Sequence, residues 1–470
     1  MKACLQREDL GKTGMLAGFV HDEPVMFPEP SVVIDSRNVK GGEIFIALKG
    51  DRTDGHHFVG QVFENGAACA VVSREWFSSQ GSSVHEAGRR YIVVNDTVSA
   101  MQQLARLYRR KFDIPVIGIG GSNGKTTTKE MTACVLRSRY RVHMSRGNLN
   151  NHLGVPLTLF GLREAHEIAV VEMGINHPGE MELLAGIAAP THGLLTNIGH
   201  EHLEFLHDLD GVTRAETALY RYLQERNGVV FVNRADKRLA QEAAGIGTVV
   251  AYGVSQESVW AEDTGMDSTG RALFSLCFRS GTVPVALRFA GRHNVSNAVA
   301  AAAVGLHFGL TPEQIASGLE RLEPVKGWKR LEFQQAGGVT VVNDAYNANP
   351  DSVRNALDLL CELPVSGKRI AVIGDMLELG DVSAAEHEGI GRYVASLDNL
   401  DILYTFGEQA ALCCREAGAK CSGHFVDSAS LQRMLNESLN PGDVLLLKGS
   451  RGMFLERFAE GLSKLSGLDQ

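Results

Sequence analysis

The chain has 470 residues, which at about 150 residues per domain predicts roughly three domains. Its composition, 44% hydrophobic and 21% charged, excludes a disordered or fibrous protein and is typical of an enzyme with full hydrophobic cores. The net charge of −9 argues against nucleic acid as a substrate, since proteins that cover phosphates usually carry a positive balance.

The predicted elements begin with a small α/β domain over residues 1–112. Short β-rich runs (SVVID, EIFIALKG, ACAVV, YIVVN) alternate with loops, and a helical segment follows over about 98–111. A break at residues 113–115 precedes a buried strand at 116–119. The first domain boundary is therefore placed at residue 113.

The central domain, residues 113–325, alternates apolar strands (PVIGIG, EIAVVEMG, GLLTNIG, VVFVN) with helices. Continuous apolar runs separated by helices indicate a parallel sheet covered on both faces. Two runs on either side of residues 279–281 predict a hairpin, and Thr311 with Gln314 predicts a helix that begins with a capping box.

The third domain, residues 326–470, resumes the alternation with VTVVND, RIAVIGD, ILYTFG and VLLLKG. This pattern indicates a Rossmann-like domain, but it contains no GxGxxG motif and so predicts no dinucleotide site. The predicted fold class is thus α/β with three domains: a small N-terminal α/β domain, a central parallel-sheet P-loop ATPase domain and a C-terminal Rossmann-like domain.

The cysteines and the apolar runs predict a cytoplasmic protein without a transmembrane segment. The eight cysteines are scattered without a CxxC pair, so neither a disulfide framework nor a zinc ribbon is expected, and a reducing cytosol fits. The N-terminal residues lack the apolar core of a signal peptide. The most apolar helical stretch, 298–305, is far shorter than the roughly 20 residues that cross a bilayer.

A glycine-rich loop supplies the strongest functional signal. Residues 120–127 read GGSNGKTT, follow a buried strand and open a helix, which is the setting of a phosphate-binding loop. Backbone N–H groups would bind phosphate, the lysine would neutralise its charge, and the first threonine would bind Mg²⁺. The predicted nucleotide-binding residues here are Gly121, Ser122, Asn123, Gly124, Lys125, Thr126 and Thr127.

The alternative interpretation of this loop is a glycine turn with a surface lysine. The loop is one residue shorter than the common GxxxxGK[ST] pattern, because position 119 is isoleucine. That shortening disfavours an ordinary GTPase or motor ATPase.

Candidate metal ligands follow the next two strands. Glu172 ends the apolar run 168–171, at the strand edge where α/β proteins bind ligands, which favours a Mg²⁺ ligand over a solvated strand end. His200 and His202 follow the run TNIG, and we interpret His202 as a neighbour of metal or phosphate. The alternatives are a His-x-His zinc hydrolase and a pair of solvated loop histidines.

Asn294 and Asn297 open an alanine-rich helix. They are three residues apart, so both side chains can face one ligand. Helix capping is the alternative role for each asparagine.

Five motifs in this order, GGSNGKTTT, VVEMGINHPGE, TNIGHEHLE, GRHNVSNA and DAYNANP, resemble those of the ATP-dependent Mur ligase family, which builds the peptidoglycan stem peptide. The motifs DSR at 35–37 and GEIFIALKG at 42–50 extend the resemblance over nearly the whole chain. GDMLELG at 374–380 and KGSR at 448–451 are most similar to the branch that adds D-alanyl-D-alanine. The sister branch, which adds the third amino acid, is the alternative, but its DNPR-like segment is not found.

The resemblance implies small-molecule substrates: ATP, UDP-N-acetylmuramoyl-tripeptide and D-alanyl-D-alanine, with Mg²⁺ as cofactor, and we expect a monomer. The implied ATP contacts outside the loop are Asn294, Asn297, Arg330 and Asp344. The implied substrate contacts are Asp35, Ser36, Arg37, Lys49, Asn347, Asn349, Lys448, Ser450 and Arg451. The implied metal ligands are Thr126, Glu172, His202 and Glu216, and the implied catalytic residues are Lys125, His202 and Glu216.

Glu216 marks a departure from the family pattern. The family has a lysine after the histidine that CO₂ carbamylates, giving an anionic oxygen pair for a second Mg²⁺. This chain has no lysine from 130 through 236, and Glu216 stands at about the matching position. We hypothesise that its carboxylate, a ready ligand for Mg²⁺, replaces the carbamate and makes activity independent of CO₂. An exposed helix glutamate paired with an arginine is the alternative.

Two functions of other classes stay open at this point. A metal-dependent hydrolase would act without ATP, and a nucleotide-binding regulatory protein would bind ATP without consuming it. The implied ATP contacts come from the second and third domains, so we also expect domain closure during catalysis.

Overall fold

The structure is a computed structural model, and it describes residues 4–6, 16–19, 26–28, 30–80, 89–267, 269–323, 327 and 329–466. For residues 4–6, 16–19, 26–28 and 463–466 only the backbone is described. The predicted boundary between residues 325 and 326 lies outside these ranges, and the domain limits stay a prediction. The α/β class and the three-part architecture are confirmed.

The N-terminal part is built on a five-stranded sheet of order β2-β7-β6-β5-β4, in which only β2 runs antiparallel to its neighbour. A two-stranded antiparallel sheet of β1 and β3 stands beside it. The strands are β1 (Cys4–Gln6), β2 (Leu16–Phe19), β3 (Met26–Pro28), β4 (Val32–Val33), β5 (Ile44–Ile46), β6 (Cys69–Ser73) and β7 (Tyr91–Val94). The helices are α1 (Val59–Glu64), α2 (Arg74–Ser79) and α3 (Thr97–Arg109).

Helix α3 joins the first part of the molecule to the second. Its buried face continues into the core of the central part, and Tyr108 donates a hydrogen bond to the Leu162 carbonyl at 2.9 Å. The Arg109 guanidinium, at the end of α3, donates to the carbonyls of Phe112 at 2.7 Å and Ala188 at 3.2 Å. A buried cation bonded to carbonyls on both sides of the junction fixes the first two parts against each other.

The central part contains a parallel sheet of order β13-β12-β11-β8-β10-β9 and an antiparallel sheet of order β14-β15-β16. All residues of β8 and β10 are buried, as their continuous apolar sequences predict. The strands are β8 (Val116–Gly120), β9 (Val142–Met144), β10 (Ile168–Glu172), β11 (His192–Leu195), β12 (Val229–Asn233), β13 (Val249–Tyr252), β14 (Val259–Met266), β15 (Arg271–Phe278) and β16 (Gly281–Ala290). The predicted hairpin is β15 and β16.

The central helices cover both faces of the parallel sheet. They are α4 (Lys125–Leu136), α5 (Gly154–Phe160), α6 (Glu180–Ala188), α7 (Leu203–Leu206), α8 (Leu209–Glu216), α9 (Ala218–Gln224), α10 (Lys237–Glu242), α11 (His293–His307) and α12 (Pro312–Arg321). The predicted capping box at the start of α12 is confirmed: the Thr311 hydroxyl accepts from the Gln314 amide, and the Gln314 side chain accepts from the Thr311 amide.

The C-terminal part is a six-stranded sheet of order β17-β18-β22-β19-β20-β21, parallel except for edge strand β17. This confirms the Rossmann-like prediction. The strands are β17 (Glu332–Ala336), β18 (Val339–Asp344), β19 (Arg369–Gly374), β20 (Ile402–Phe406), β21 (Cys421–Phe425) and β22 (Val444–Lys448). The helices are α13 (Pro350–Glu362), α14 (Ser383–Ser396), α15 (Ala410–Ala417), α16 (Ser428–Ser438) and α17 (Glu456–Ser466).

The cysteines differ from the prediction at one pair. Cys414 and Cys421 form a disulfide, because the turn after α15 returns the chain to β21 and brings their Cα atoms to 5.2 Å. Cys69, Cys134 and Cys277 are among the five described cysteines that are free. A spacing of seven residues did not predict the pair. No helix in the described ranges combines the length and hydropathy needed to cross a membrane.

Candidate active site

The candidate site is a cavity of about 1240 Å³ between the central and C-terminal parts. Strand β8, which leads into the glycine-rich loop, lies between β11 and β10 in the parallel sheet. The loops that follow these three strands line one side of the cavity, and β17, the loop after β18 and Lys448 at the end of β22 line the other. Ligand sites in α/β sheets lie at this carboxyl edge of the strands.

The glycine-rich loop has the predicted setting between β8 and α4. Gly124 caps α4 with a left-handed φ of 82°, and a Cβ there would lie 2.4 Å from the Asn297 side-chain oxygen, so only glycine fits. The first amides of a helix have no acceptor within it, and Lys125, Thr126 and Thr127 line the cavity. This helix end can bind phosphate.

The first three predicted residues of the loop have backbone amides with partners inside the protein. The Gly121 amide donates to Glu216 at 2.8 Å, and the Ser122 and Asn123 amides donate to Asn197 at 2.9 and 3.0 Å. These three amides therefore hold the loop in shape. Phosphate binding by residues 121–127 stays a prediction.

Lys125 is folded back toward its own loop. Its ammonium donates to the carbonyls of Gly121 at 2.5 Å and Ser122 at 3.1 Å and lies 3.2 Å from Glu201. Burial lowers the pKa of Lys125, but the charges of Glu201 and Glu216 outweigh it, so the net pKa shift is upward. The lysine is thus a fixed positive charge beside the helix end. Sequence reasoning missed Glu201, although it stands between the two histidines of the motif.

Thr126 and Glu172 are brought together as predicted. The Thr126 hydroxyl donates to Oε1 of Glu172 at 3.0 Å, and the same oxygen accepts from Asn150 at 2.9 Å. Oε2 of Glu172 is buried and accepts no hydrogen bond. The ammonium of Lys129, which is fully buried, lies 3.5 Å from Oε2 and donates to the Gly147 carbonyl at 2.8 Å.

Glu216 is fully buried at the end of α8, beneath the glycine-rich loop. Its Oε2 accepts from the Gly121 amide, while Oε1 accepts no hydrogen bond. Burial raises the pKa of the Glu216 carboxyl to about 8, and the neighbouring Glu201 adds to the shift. The alternative of an exposed glutamate paired with arginine is therefore wrong, because the α8 end faces inward.

His202 and His200 have separate partners in the C-terminal part. Nδ1 of His202 lies 2.6 Å from Oε2 of Glu378, and its Nε2 lies 3.8 Å from Glu201. His200 instead pairs with Asp351, at 3.2 Å from Nδ1. The two imidazoles therefore do not converge. Within the described ranges, no three His, Cys, Asp or Glu side chains are grouped to hold a metal unaided.

Asn294 and Asn297 are both buried at the cavity wall on α11. Asn297 donates to Oδ1 of Asn294 at 3.0 Å and accepts from the Thr128 hydroxyl at 3.1 Å. Asn294 donates to the Ala290 carbonyl at 2.7 Å. Neither side chain caps α11. The pair instead contacts the first turn of α4 through the Thr128 hydroxyl.

Asp344, at the end of β18, forms the centre of the opposite wall. It accepts from the Leu331 amide at 3.2 Å and pairs with Lys448 at 2.7 Å. Lys448 is buried and also donates to the Asn347 carbonyl at 2.6 Å. The Arg330 guanidinium lies over the Tyr346 ring, 4.0 Å from its centre.

The remaining C-terminal candidates lie at or behind the same wall. Asn349 caps α13 and donates to Oδ1 of Asn123 at 3.0 Å, which ties the two parts together at the phosphate loop. The buried Ser450 hydroxyl accepts from the Leu377 amide at 2.8 Å. Arg451 is exposed, with its guanidinium 5.5 Å from the Tyr346 ring centre.

The candidates in the N-terminal part do not line this cavity. Asp35 caps a short turn and pairs with Arg37 at 2.6 Å, and the Arg37 hydrogen bonds lower the pKa of Asp35 to about 2. Ser36 is buried, while Arg37 and Lys49 are exposed. A ligand that reaches both regions must therefore be long.

Three family models match residues in each of the three parts of the chain. The models "Mur ligase family, catalytic domain", "Mur ligase middle domain" and "Mur ligase, glutamate ligase domain" match residues 31–109, 119–305 and 329–451. The UDP-N-acetylmuramoyl-tripeptide–D-alanyl-D-alanine ligase of Bacillus subtilis is 36% identical over 455 residues, or 96% of this chain and 96% of that relative.

Two solved structures of Mur ligases also superpose on nearly the whole chain. MurF from Acinetobacter baumannii superposes with a TM-score of 0.86 at 33% identity, covering 98% of this chain and 99% of that chain. MurF ligase from Thermotoga maritima in complex with ADP superposes with a TM-score of 0.81 at 27% identity, covering 94% and 99%.

Proposed function

This chain belongs to the Mur ligase family, and from that premise we propose that it joins D-alanyl-D-alanine to UDP-N-acetylmuramoyl-tripeptide with ATP, in peptidoglycan precursor synthesis. The observation that carries the proposal is the full-length similarity to a ligase of that activity, together with the cavity between the two nucleotide-facing parts. The sister activity and the zinc hydrolase are disfavoured. A solved ligase of the sister activity matches 99% of this chain but at only 16% identity, and the two histidines do not converge as a zinc site would require.

The first step is phosphoryl transfer from ATP to the terminal carboxylate of the tripeptide. A carboxylate oxygen forms a bond to the γ-phosphorus, and the bond to the ADP oxygen breaks. Such transfer needs mainly positioning and charge neutralisation. The amides at the start of α4 would hold the phosphates, and the Lys125 ammonium would neutralise the developing charge. Asp344 and Arg330 would contact the nucleotide from the opposite wall.

The second step forms the amide bond. The amine of D-alanyl-D-alanine attacks the acyl carbon, the resulting tetrahedral intermediate loses phosphate with its electron pair, and the amine proton passes to solvent. We propose that Asn347, Asn349 and Lys448 border the reacting ends of the peptides. Ser450 and Arg451 would hold the peptide from the outer side.

Magnesium fits this site on the chemistry of the side chains. Buried carboxylate oxygens of Glu172, Glu201 and Glu216 accept no hydrogen bond, and such oxygens are ligands that Mg²⁺ prefers. We propose that Thr126 and Glu172 hold one Mg²⁺ and that His202 and Glu216 hold a second. When bound, the ions supply charge neutralisation for the phosphates and the acyl phosphate.

Glu216 replaces the carbamylated lysine of the family in this proposal. It already offers a carboxylate under the phosphate loop, so ligase activity should not need CO₂. We expect equal rates in CO₂-stripped and bicarbonate-supplemented buffers, and at least about a tenfold loss for Glu216→Ala. A rate that collapses when CO₂ is removed, or a fully active Glu216→Ala variant, would refute this role.

We propose that Asp35, Ser36 and Arg37, with the exposed Lys49, bind the UDP end of the substrate. They lie outside the cavity, and a UDP-linked tripeptide is long enough to connect the two. We also propose a monomeric, cytoplasmic enzyme. Size-exclusion chromatography with light scattering tests the monomer: a mass near 50.8 kDa supports it, and a multiple of that mass rejects it.

Phosphate release from ATP tests the proposed activity directly. We expect release when UDP-N-acetylmuramoyl-tripeptide and D-alanyl-D-alanine are both present, and much less when the dipeptide is left out. Mass spectrometry should detect the pentapeptide product. Release that ignores the dipeptide, or release with the UDP-dipeptide and a single amino acid instead, would overturn the assignment.

A further inference from the structure

Glu201 is a buried carboxylate in the wall of the candidate site. It follows β11 in the chain, its side chain is only 7% exposed, and it lines the cavity. Its Oε2 lies 3.2 Å from the ammonium of Lys125 and 3.8 Å from Nε2 of His202. Its Oε1 is buried and accepts no hydrogen bond. A buried carboxylate oxygen without a donor is unfavourable, and a cation is a partner that would satisfy it.

The neighbouring Glu216 lies deeper than Glu201. Its Oε2 accepts from the Gly121 amide at 2.8 Å, and a Cβ on Gly120 would lie 2.8 Å from the same oxygen. The backbone of the glycine-rich loop thus packs directly on Glu216, which is fully buried and is not among the residues that line the cavity. Of the two carboxylates, Glu201 is the one that a ligand in the cavity can reach.

The charge of Glu201 is matched by an ammonium that has a second task. The Lys125 ammonium pairs with Glu201 in this structure, and it is also the group proposed to neutralise the phosphates of ATP. When the ammonium turns toward the phosphates, the carboxylate loses its counter-ion. A buried carboxylate left without a cation is strongly unfavourable, so another cation should take the place of the ammonium.

We propose that Glu201 is a ligand of the second Mg²⁺, on the cavity side of Glu216 and next to His202, and that it exchanges the Lys125 ammonium for this ion when ATP binds. This inference rests on the proposed function and deepens it, because it gives the ion a ligand that faces the substrates. Mg²⁺ accepts one or two protein carboxylates and takes its other ligands from phosphates and water. The described residues likewise contain no group of three His, Cys, Asp or Glu side chains that could hold a metal alone.

Glu204 provides a matched control for this assignment. It lies in the same segment three residues after Glu201, its side chain is exposed, and it does not line the cavity. Glu201→Gln and Glu204→Gln each remove one negative charge from this segment. A difference between the two variants therefore reports on the position of Glu201 in the site. Glu201→Asp keeps the charge but withdraws the carboxylate by one methylene.

The experiment counts bound Mn²⁺, which suits the same oxygen ligands as Mg²⁺. Each full-length protein is titrated with Mn²⁺ and an equimolar nonhydrolysable ATP analogue, and electron paramagnetic resonance measures the free ion against a protein-free blank. We expect the parent and Glu204→Gln to bind two ions per chain. Glu201→Gln should keep the first ion and bind the second at least about tenfold more weakly. Glu201→Asp should lie between Glu201→Gln and the parent.

The same titration separates a metal ligand from a simple counter-ion of Lys125. If Glu201 only neutralises Lys125, Glu201→Gln releases the ammonium, both Mn²⁺ sites keep their affinity, and the ATP analogue binds at least as tightly as it does to the parent. That result would overturn the inference, and so would a parent protein that binds a single Mn²⁺.

Circular dichroism checks that each variant folds. If Glu201→Gln does not fold, Glu201→Asp decides the question, and a second Mn²⁺ affinity equal to that of the parent would then reject the assignment. Phosphate release that depends on the dipeptide is measured separately in the parent. Its absence would reject the proposed function, whereas the Mn²⁺ count would still decide whether Glu201 binds the ion.

Discussion

Buried carboxylates lie on both sides of Lys125, and the fold compensates their negative charge differently on the two sides. On one side, the buried Glu172 carboxylate has hydrogen-bond donors at Oε1 and the buried Lys129 ammonium 3.5 Å from Oε2. On the other side, Glu201 and Glu216 crowd around Lys125 itself, and burial raises the pKa of Glu216 to about 8. Glu172 thus has two side-chain donors besides an ammonium that it shares with Glu130, whereas Glu216 has one backbone amide and a Lys125 ammonium that Glu201 shares.

This difference indicates how the site depends on cations. A carboxylate oxygen that accepts two side-chain hydrogen bonds keeps its position with or without a metal. A buried carboxyl with a raised pKa, as in Glu216, is unfavourable in its charged form until a proton or a metal ion joins it. We therefore expect the Glu172 side to govern stability and the Glu216 side to respond to pH and Mg²⁺.

Removal of Lys129 should give the largest effect. Lys129→Met leaves Glu172 and Glu130 in the interior without their cation, and breaking a buried pair from one side costs about 3 kcal/mol of unfolding free energy. Guanidinium denaturation followed by circular dichroism measures the loss. The exposed Lys237, changed to Met, is the control and should show no measurable loss. Similar losses in the two variants would show that Lys129 does not stabilise the buried carboxylates of Glu172 and Glu130.

Glu216→Gln should stabilise the metal-free protein at high pH. The Glu216 pKa rises from 4.5 to about 8 on folding, so between these pH values the native state binds more protons than the unfolded state. Stability of the parent protein therefore falls as pH rises through that window, and at pH 8 the variant should be the more stable of the two. Thermal unfolding in EDTA at pH 5 and pH 8 measures this difference.

The control for that variant is Glu225→Gln, an exposed glutamate whose side chain is 71% accessible. It should leave the pH dependence unchanged. Saturating Mg²⁺ should remove the advantage of Glu216→Gln, because the ion then takes the place of the proton. If Glu216→Gln is no more stable than the parent at pH 8 without metal, ionisation of Glu216 does not destabilise the folded protein.

The smallest effect is expected for Asn150→Ala on the Glu172 side. The variant loses one hydrogen bond to Oε1, while Thr126 still donates to the same atom. A hydrogen bond to a charged group contributes about 1.5 kcal/mol, so binding of Mg²⁺ with a nonhydrolysable ATP analogue should weaken about tenfold. Isothermal titration calorimetry measures it. Unchanged affinity would mean that Thr126 alone holds the carboxylate.

Local patterns predicted the elements that depend on neighbouring residues. The buried strand before the glycine-rich loop, the hairpin after residue 270 and the capping box at Thr311 all follow from periodicity or short motifs, and all are present. The meeting of Thr126 with Glu172 also followed, because parallel strands end at one edge of the sheet.

Contacts between distant segments could not be predicted in this way. Lys129 and Asn150 lie in sequences that resemble an ordinary helix and loop, and only the fold brings them to Glu172. The amides of residues 121–123 were expected to bind phosphate, but tertiary partners occupy them. The disulfide between Cys414 and Cys421 depends on a turn whose path the spacing did not reveal.

The buried Arg109 at the junction of the first two parts has a consequence for substrate selection. Its bonds to carbonyls on both sides hold the N-terminal part at a set distance from the ATP cavity. If the first part binds UDP as proposed, we expect this fixed span to limit which lengths of UDP-linked peptide bring the terminal carboxylate to the cavity.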